Sequence, residues 1–294
     1  MKKEVSIIGL GSMGAAIALN LKKKYKIFGY DIKKYNNTKS IKNFIFVKSL
    51  KEIFLKTNIF IIIVLDENQC QKIFDTFIEI KKRLKISKNH TIINCTTVSP
   101  NWVKKTYGKL KKNNFEYIDC PVSGGPKKAI NGKLSLMLSS KKSVYKKNLA
   151  LLKDIGNNIY NLGNKIGTGS TVKIINNCLA GIQIVSAAEA IMLAKKEKIN
   201  LKKIFKIINN SSGQSWMFAD RGQRMIEKKY FKPLSRLSIF KKDMKLANQL
   251  RKKHFINLPL TKVALKMYEK GCRQGLENFD DSAVIRLLEK NAVK

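Results

Sequence analysis

The first part of the chain alternates short apolar runs with amphipathic stretches. The apolar runs predict strands at residues 4–8, 26–30, 45–47, 59–65, 91–95, 117–120 and 134–138. Between several of them, apolar positions three and four residues apart predict helices, one ending near residue 22 and others at 69–83 and 102–113. Because strands and helices alternate, the pattern predicts an α/β domain with a doubly wound, mainly parallel sheet.

The pattern changes after residue 163, where the strands stop. A helical pattern then runs from residue 167 to about residue 195, followed by predicted helices at 201–209, 219–228, 238–254, 260–271 and 283–290. A chain of 294 residues has room for two cores. We therefore predict a sheet-bearing domain over residues 1–163 and an all-α domain over residues 164–294.

The long helical pattern is nearly apolar all round between residues 172 and 194. Such a helix is either a membrane span or the buried spine of a sizeable domain. Polar residues interrupt it and favour the spine: Lys173, Asn176, Asn177, Gln183 and Glu189. Lys173 and Asn177 lie four residues apart, which places both on one face, a turn from each other. That face is a candidate functional patch.

A glycine-rich motif, Gly9-Leu10-Gly11-Ser12-Met13-Gly14, directly follows the first predicted strand and opens a helix. In this context the first glycine permits a tight turn, the second lets a pyrophosphate approach the backbone, and the third packs helix on strand. Asp31 ends the second predicted strand, twenty residues after Gly11. A carboxylate there can hold the ribose hydroxyls of NAD and repels the 2′-phosphate of NADP. We therefore predict a Rossmann-type domain that binds NAD, with NADP disfavoured but left open by Lys33 and Lys34.

A second loop, Pro121-Val122-Ser123-Gly124-Gly125-Pro126, follows the sixth predicted strand. Paired glycines between prolines expose successive backbone N–H groups, and the Ser123 hydroxyl adds a donor, which suits a carboxylate ligand. Val64, Leu65 and Thr97 fall at the ends of the fourth and fifth predicted strands. Because ligands of such sheets bind beyond the carboxyl ends of the strands, all these residues are candidate site residues.

The charge of the chain is its main compositional anomaly. The formal net charge is +39, from 59 basic and 20 acidic residues. Taken alone, this favours a nucleic-acid or anionic-membrane partner. However, the 52 lysines occur in every segment, and the seven arginines do not alternate with aromatic residues as a base-stacking surface requires. We expect neither partner, although a basic nucleic-acid-binding protein with a relic Rossmann domain is the alternative of another class.

Cysteine usage and the N-terminus both favour the cytoplasm. The five cysteines are odd in number and have no metal-ligand spacing, so we expect free thiols, no metal site and a reducing compartment. Residues 1–21 superficially resemble a signal peptide, but the glycine motif explains the apolar run and no cleavage motif follows.

Four stretches together resemble, in order and spacing, the signatures of the β-hydroxyacid dehydrogenase family. They are residues 9–14, 119–125, 167–177 and 242–247. The resemblance covers essentially the whole chain. It implies that Lys173 is the acid/base of a hydride transfer, that Asn177 helps hold the substrate, and that Ser123, Gly124 and Gly125 take the substrate carboxylate.

The resemblance also implies cofactor contacts. Thr97 and Lys242 match family positions that contact the dinucleotide, beside residues 9–14, Asp31, Val64 and Leu65. A lysine at the start of a buried helix, near an oxidised nicotinamide, has its ammonium form disfavoured by desolvation and like charge. We therefore expect Lys173 to act as a neutral base in alcohol oxidation.

The second half of the chain resembles the members of the family that act on L-threonate, through residues 212–218, 239–243 and 280–285. This implies NAD-dependent oxidation of L-threonate, or a similar four-carbon sugar acid, at C2 to the 2-oxo acid. The alternatives are 3-hydroxyisobutyrate dehydrogenase and 2-hydroxy-3-oxopropionate (tartronate semialdehyde) reductase. The resemblance further implies a homodimer or homotetramer built through the C-terminal helices. The sequence departs from the family pattern at Cys120 and at the acidic pair Asp66 and Glu67. We expect the acidic pair to weaken cofactor affinity.

Overall fold

The structure is a computed structural model that describes residues 2–33 and 42–290. Contacts within the chain divide it into two compact units, with the boundary between Lys173 and Ile174. This boundary lies ten residues after the one predicted at residue 163, because the first turn of a long helix is hydrogen-bonded to the sheet through Ser170 and Asp119.

The N-terminal unit alternates strands and helices. In chain order they are β1 Glu4–Ile8, α1 Ser12–Leu21, β2 Lys26–Tyr30, β3 Phe44–Phe46, α2 Leu50–Lys56, β4 Ile59–Ile62, α3 Glu67–Arg83, β5 His90–Asn94, α4 Pro100–Lys112, β6 Phe115–Asp119, β7 Val122–Ser123, α5 Gly125–Ala129, β8 Ser135–Ser140, α6 Lys142–Ile155 and β9 Asn158–Asn161. The sheet order is β3-β2-β1-β4-β5-β6-β8-β7, with β9 beside β8. Strands β1 to β6 pair in parallel and β8 is antiparallel to β6. The predicted doubly wound, mainly parallel sheet is confirmed.

The strands are apolar on both faces because helices cover both faces of a doubly wound sheet. In β4, Ile61 packs into one buried cluster, while Phe60 and Ile62 pack into the other. Ile93 and Ile92 divide in the same way in β5. This two-sided burial fixes the carboxyl ends of the strands, where loops carry the candidate residues.

The strand order reverses between β1 and β4, which are direct neighbours through the pair Ile8 and Ile62. A crevice opens at such a switch point, outside the carboxyl ends of the two strands. The predicted fourth strand extended to residue 65, whereas β4 ends at Ile62. The apolar run leaves the sheet there because the Val64 N–H donates to Thr96 Oγ1 at 3.0 Å rather than to a strand. Val64 and Leu65 therefore lie in a loop at the crevice.

The remaining helices follow β9. They are α7 Thr168–Lys196, α8 Leu201–Asn209, a π-helical turn Phe218–Gly222, α9 Gln223–Ile226, α10 Leu237–Lys253, α11 Pro259–Arg273, a 3-10 turn Asp281–Ile285 and α12 Arg286–Lys290. The core of the C-terminal unit forms where α7 meets α10 and α11. At Gly181 a Cβ atom would lie 2.6 Å from Met244 Sδ, so glycine permits the close approach of α7 and α10. Tyr268 of α11 donates a 2.8 Å hydrogen bond to the Gly181 carbonyl.

Two of the predicted helices do not begin as α-helices. One begins with a π-helical turn and the other with a 3-10 turn, and a buried ion pair joins the two turns. The predicted helix at 219–228 is the π-helical turn followed by α9, and the one at 283–290 is the 3-10 turn followed by α12. Arg221 donates to both oxygens of Asp281, at 2.5 and 3.1 Å. Both side chains are buried, so the guanidinium and the carboxylate each need a charged partner. Arg221 lies in the π-helical turn and Asp281 in the 3-10 turn.

Helix α7 is long and apolar enough to cross a membrane by length and composition, with a mean hydropathy of 1.5 in its most apolar 18-residue stretch. In the structure 56% of that stretch is buried inside the protein. The core helix of a soluble protein meets the same criteria of length and hydropathy. The burial therefore favours the spine that the polar interruptions predicted.

Candidate active site

The loop between β1 and α1 is built by its three glycines. Gly9 has a φ of 92°, and a Cβ there would lie 2.3 Å from the Ile63 carbonyl oxygen. A Cβ at Gly14 would lie 1.8 Å from the Gly9 carbonyl oxygen, so α1 rests directly on the turn. At Gly11, by contrast, a Cβ would meet no atom within 4 Å. The loop therefore presents open backbone at the N-terminus of α1, a geometry that fits the pyrophosphate of a dinucleotide.

Asp31 follows β2 and is joined to this loop. Its Oδ2 accepts a 2.7 Å hydrogen bond from the Leu10 N–H, and its Oδ1 accepts one of 2.8 Å from the Lys33 N–H. These bonds hold the carboxylate beside the glycine turn, which fits a ribose-binding role. Lys34, which the sequence placed nearby, lies outside the described residues.

The acidic pair after β4 is engaged by helix N-termini. Asp66 caps α3 by accepting from the Gln69 N–H at 2.9 Å, and Glu67 accepts from the Ser99 N–H at 2.6 Å. Backbone N–H donors at a helix start stabilise carboxylates. Both acids therefore have structural partners that the sequence reasoning did not foresee.

Thr97 lies half-buried in the loop between β5 and α4.

The predicted carboxylate loop is a sharp turn at the end of β7. Gly124 and Gly125 have φ values of 133° and 73°, which L-residues rarely adopt. A Cβ at Gly124 would lie 2.9 Å from Lys128 Cδ, whereas one at Gly125 would meet nothing within 4 Å. Ser123 is half-buried at the end of β7. The loop thus offers an accessible backbone N–H beside a hydroxyl, as an anion site requires.

Lys173 is buried in α7, with 7% of its surface exposed, and Asn177 is 9% exposed. The helix places the two side chains on one face, a turn apart, as their spacing predicted. Among the residues whose burial the structure describes, the buried lysines are Lys81 and Lys173. Lys81 donates to the backbone carbonyls of Lys88 and Asn114, whereas Lys173 falls at the position that the family resemblance assigns to the acid/base.

Asp243 is a candidate site residue that the sequence reasoning did not single out. It lies in α10 with 2% of its surface exposed, and its Oδ2 accepts a 2.7 Å hydrogen bond from Asn177 Nδ2. Its Oδ1 faces Lys242 Nζ at 2.8 Å. One buried carboxylate therefore orients two predicted site residues. The sequence carries a sign of this, because Asp243 falls on the apolar stripe of α10 between Phe240 and Ala247.

All five cysteines are free thiols in the structure. Within residues 2–33 and 42–290, no three His, Cys, Asp or Glu side chains come together as a group that could hold a metal ion.

Comparison with known proteins identifies the family of the chain. Residues 4–163 match the family described as the NAD binding domain of 6-phosphogluconate dehydrogenase. Residues 167–288 match the family described as NAD-binding of NADP-dependent 3-hydroxyisobutyrate dehydrogenase. The chain therefore belongs to the 3-hydroxyisobutyrate dehydrogenase-like family, and it is an NAD(P)-dependent dehydrogenase that acts on the hydroxyl group of hydroxy acids.

Three relatives illustrate the similarity. An L-threonate dehydrogenase from Haemophilus influenzae is 31% identical, over 96% of this chain and 94% of its own. A 2-hydroxy-3-oxopropionate reductase from Escherichia coli is 26% identical, over 97% of each chain. The crystal structure of a 3-hydroxyisobutyrate dehydrogenase from Salmonella typhimurium superposes with a TM-score of 0.88 at 29% identity, over 97% of this chain and all of its own.

Proposed function

We propose that the protein oxidises L-threonate, or a similar four-carbon sugar acid, at C2 to the 2-oxo acid. The observation that carries the chemistry is the buried Lys173, one helical turn from Asn177. The substrate is supported by several L-threonate dehydrogenases at 28–31% identity across nearly the whole chain. Relatives at 26% and 28% identity are a 2-hydroxy-3-oxopropionate reductase and a 3-hydroxyisobutyrate dehydrogenase, which name the alternative substrates.

The cofactor is held by the N-terminal unit in this proposal. Residues 9–14 receive the pyrophosphate, Asp31 the adenine ribose, and Val64, Leu65 and Thr97 line the crevice beside them. When bound, the nicotinamide supplies the hydride acceptor for alcohol oxidation. The family resemblance makes Lys242 a further cofactor contact, and its ammonium pairs with Asp243.

The proton is handled by Lys173. In this proposal the buried Lys173 accepts the C2 hydroxyl proton as the carbonyl forms. Backbone N–H groups of Gly124 and Gly125 and the Ser123 hydroxyl hold the substrate carboxylate. Asn177 retains an amide N–H beyond the one it gives to Asp243, and this N–H binds a substrate oxygen.

NAD is the preferred cofactor in this proposal, because the Asp31 carboxylate lies where a 2′-phosphate would add a second negative charge. The ratio of kcat/KM for NAD to that for NADP measures this preference directly. A ratio below one would contradict the assignment of Asp31 without affecting that of Lys173.

The protein acts in the cytoplasm as a homodimer or homotetramer built through its C-terminal helices. Exposed apolar side chains support this assembly: Ile175, Leu179 and Leu193 on α7, Ile207 on α8, and Leu260 and Val263 on α11. Large exposed apolar patches commonly mark interfaces. Light scattering coupled to gel filtration should give a multiple of 33.5 kDa, and Leu179→Glu should shift it toward the single chain. A monomeric wild type would contradict the assembly.

The substrate proposal is tested with a panel of hydroxy acids and NADH fluorescence. L-Threonate should give the highest kcat/KM, followed by other four-carbon sugar acids, with 3-hydroxyisobutyrate lower. Reduction of tartronate semialdehyde is measured in the reverse direction. If 3-hydroxyisobutyrate or tartronate semialdehyde is turned over more efficiently, the proposed substrate is wrong and that alternative replaces it.

The role of Lys173 is tested by Lys173→Ala. Loss of a general acid/base should lower kcat by about 10²- to 10⁴-fold while NAD binding is retained. Lys241→Ala, which removes a lysine next to the Lys242–Asp243 pair, is the control and should leave kcat unchanged. Unchanged turnover in Lys173→Ala would reject the mechanism. If no assay detects dehydrogenase activity and the protein binds DNA tightly at physiological salt, the nucleic-acid-binding alternative is favoured instead.

A further inference from the structure

The carboxylate of Asp119 occupies a central position in the N-terminal unit. Asp119 is the last residue of β6 and is fully buried. In the sheet it lies between Asn94 of β5 and Ser139 of β8. A buried acid at this position needs several hydrogen-bond donors to offset the loss of hydration.

Those donors come mainly from the first turn of α7. The Ser170 N–H donates to Asp119 Oδ2 at 2.9 Å, and the Ser170 hydroxyl donates to Oδ1 at 2.6 Å. The Ser139 hydroxyl donates to Oδ2 at 3.2 Å. Both carboxylate oxygens are therefore engaged, and the N-terminal end of α7 is fastened to the end of β6.

The start of α7 also packs closely against the strand ends. A Cβ at Gly169 would lie 2.3 Å from the Met137 carbonyl oxygen and 3.1 Å from Asp119 Oδ2. The Gly169 N–H also donates to Ser139 Oγ at 3.3 Å. Because no side chain fits at Gly169, the helix start has little freedom to slide along the strand ends.

The same residue stands at the start of the carboxylate loop. Cys120 and Pro121 separate Asp119 from β7, and Ser123, Gly124 and Gly125 follow. On the other side, Lys173 is three residues beyond Ser170, within one helical turn. The acid/base lysine and the carboxylate-binding loop are thus both attached to Asp119 through short, rigid connections.

The structure assigns Asp119 as a positioning residue, which sets the placement of Lys173 relative to the loop of Ser123 to Gly125. This assignment rests on the proposed function, because it concerns the geometry between the proton acceptor and the substrate carboxylate. A substrate anchored by its carboxylate presents its hydroxyl at a fixed distance, so the lysine must be held at a matching place.

An amide cannot replace this carboxylate. Asparagine at 119 would keep one acceptor oxygen and turn an NH₂ group toward a donor of Ser170 or Ser139. Burial raises the pKa of Asp119, and the hydrogen bonds from Ser170 only partly offset this rise. Loss of the second acceptor should therefore release the first turn of α7.

The test compares Asp119→Asn, Ser170→Ala and Gly169→Ala with wild type, well below their melting temperatures. Each variant disturbs the same turn, and Gly169→Ala does so while keeping the carboxylate. Each should lower kcat by about tenfold or more, since a misplacement of about 1 Å can cost 10²-fold, while the Kd for NAD stays within about twofold. The pH profile of kcat should also shift, because the surroundings of Lys173 change.

Asp154→Asn is the matched control for stability. Asp154 accepts 2.5 and 2.8 Å hydrogen bonds from Lys24 and Tyr25 in the same unit, so its loss should lower the melting temperature without changing kcat. If Asp119→Asn melts earlier but keeps wild-type kcat and pH profile, Asp119 is only structural and the inference is wrong. If Asp119→Asn does not fold, wild-type kcat in both Ser170→Ala and Gly169→Ala overturns it. Retained activity in Lys173→Ala rejects the proposed function itself, which is a separate outcome.

Discussion

Asn177 Nδ2 donates a 2.7 Å hydrogen bond to Asp243 Oδ2 across 66 residues of sequence. The bond fixes which end of the Asn177 amide is the donor, and Asn176 Nδ2 occupies the amide oxygen at 3.1 Å. Since the Asp243 carboxylate also pairs with Lys242, one buried acid joins the proposed substrate amide to the proposed cofactor lysine. This relationship makes Asp243 the natural target of a first mutation.

Asp243→Asn should raise KM for the hydroxy acid and for NAD together. The neutral amide cannot form the ion pair with the Lys242 ammonium, and its NH₂ group is a donor that cannot accept from Asn177. Disturbing a buried hydrogen bond to a charged group should also lower the free energy of unfolding by about 1–3 kcal/mol. Steady-state kinetics and urea unfolding measure both effects.

Glu269→Gln is the control for Asp243→Asn. Glu269 forms a more exposed ion pair, at 3.7 Å, with Lys245, which lies on the same helix as Asp243. It should change neither KM value and should alter stability by less than about 1 kcal/mol. Equal effects of the two mutations would contradict a specific role for Asp243.

Gly11→Ala and Gly14→Ala should separate cofactor binding from folding. A Cβ at Gly11 meets no protein atom within 4 Å, so the first variant should keep the wild-type melting temperature but lose about tenfold or more in NAD affinity. A Cβ at Gly14 would lie 1.8 Å from a carbonyl oxygen, so the second should be strongly destabilised. Calorimetric titration with NAD and thermal melts distinguish them. Unchanged NAD affinity in Gly11→Ala would show that the pyrophosphate does not approach this backbone.

Asp31→Asn should shift the cofactor preference toward NADP. The amide oxygen can still accept from the Leu10 N–H, while the bond from the exposed Lys33 N–H and the negative charge are removed. We expect the ratio of kcat/KM for NAD to that for NADP to fall by about tenfold, equivalent to about 1.4 kcal/mol. Lys33→Ala controls for a general change of charge near the ribose. A ratio equal to wild type would mean that Asp31 does not discriminate.

His90 should make the fold less stable in mild acid. The ring is buried and lies 4.5 Å from the Phe54 ring, and burial lowers the pKa of His90 to about 4. An unfolded histidine has a pKa of about 6.5, so between about pH 6.5 and pH 4 His90 is protonated in the unfolded chain but neutral in the folded one. Stability is therefore complete above about pH 6.5 and declines as the pH falls toward 4, by up to about 3 kcal/mol.

His90→Phe should flatten this decline, which urea unfolding between pH 4.5 and 7.5 can follow. His254, the other histidine of the chain, is exposed, so His254→Gln should behave like wild type. An identical decline in wild type and His90→Phe would assign the acid sensitivity to carboxylates instead.

The sequence predicted the sheet well where burial dictates the pattern and poorly where it does not. Strands such as β1 and β2 are apolar because helices cover both faces, and their bounds agree with the prediction. Strand β9, by contrast, is mostly exposed and reads Asn-Ile-Tyr-Asn, so only its pairing with β8 makes it a strand. The π-helical turn at Phe218–Gly222 has the same apolar spacing as an ordinary helix, and it carries Arg221, whose partner Asp281 lies 60 residues further along the chain.

The site follows the same division. Gly9 and Gly124 could be predicted because their positive φ angles are local requirements, and Gly14 because its close contact is with Gly9. The partnership of Asn177 with Asp243 could not, because side chains 66 residues apart meet only once the helices have packed.

The start of α7 also bears on how such enzymes can be recombined. The proposed lysine and amide lie on one helix, so exchanging C-terminal halves between relatives at residues 162–167 would transfer Lys173 and Asn177 together. Asp119 and the loop of Ser123 to Gly125 would remain with the other parent. A hybrid enzyme should therefore be active only where the incoming helix carries a small residue at 169 and a donor at 170 to match the resident aspartate. These two positions, rather than overall identity, should decide which halves are compatible.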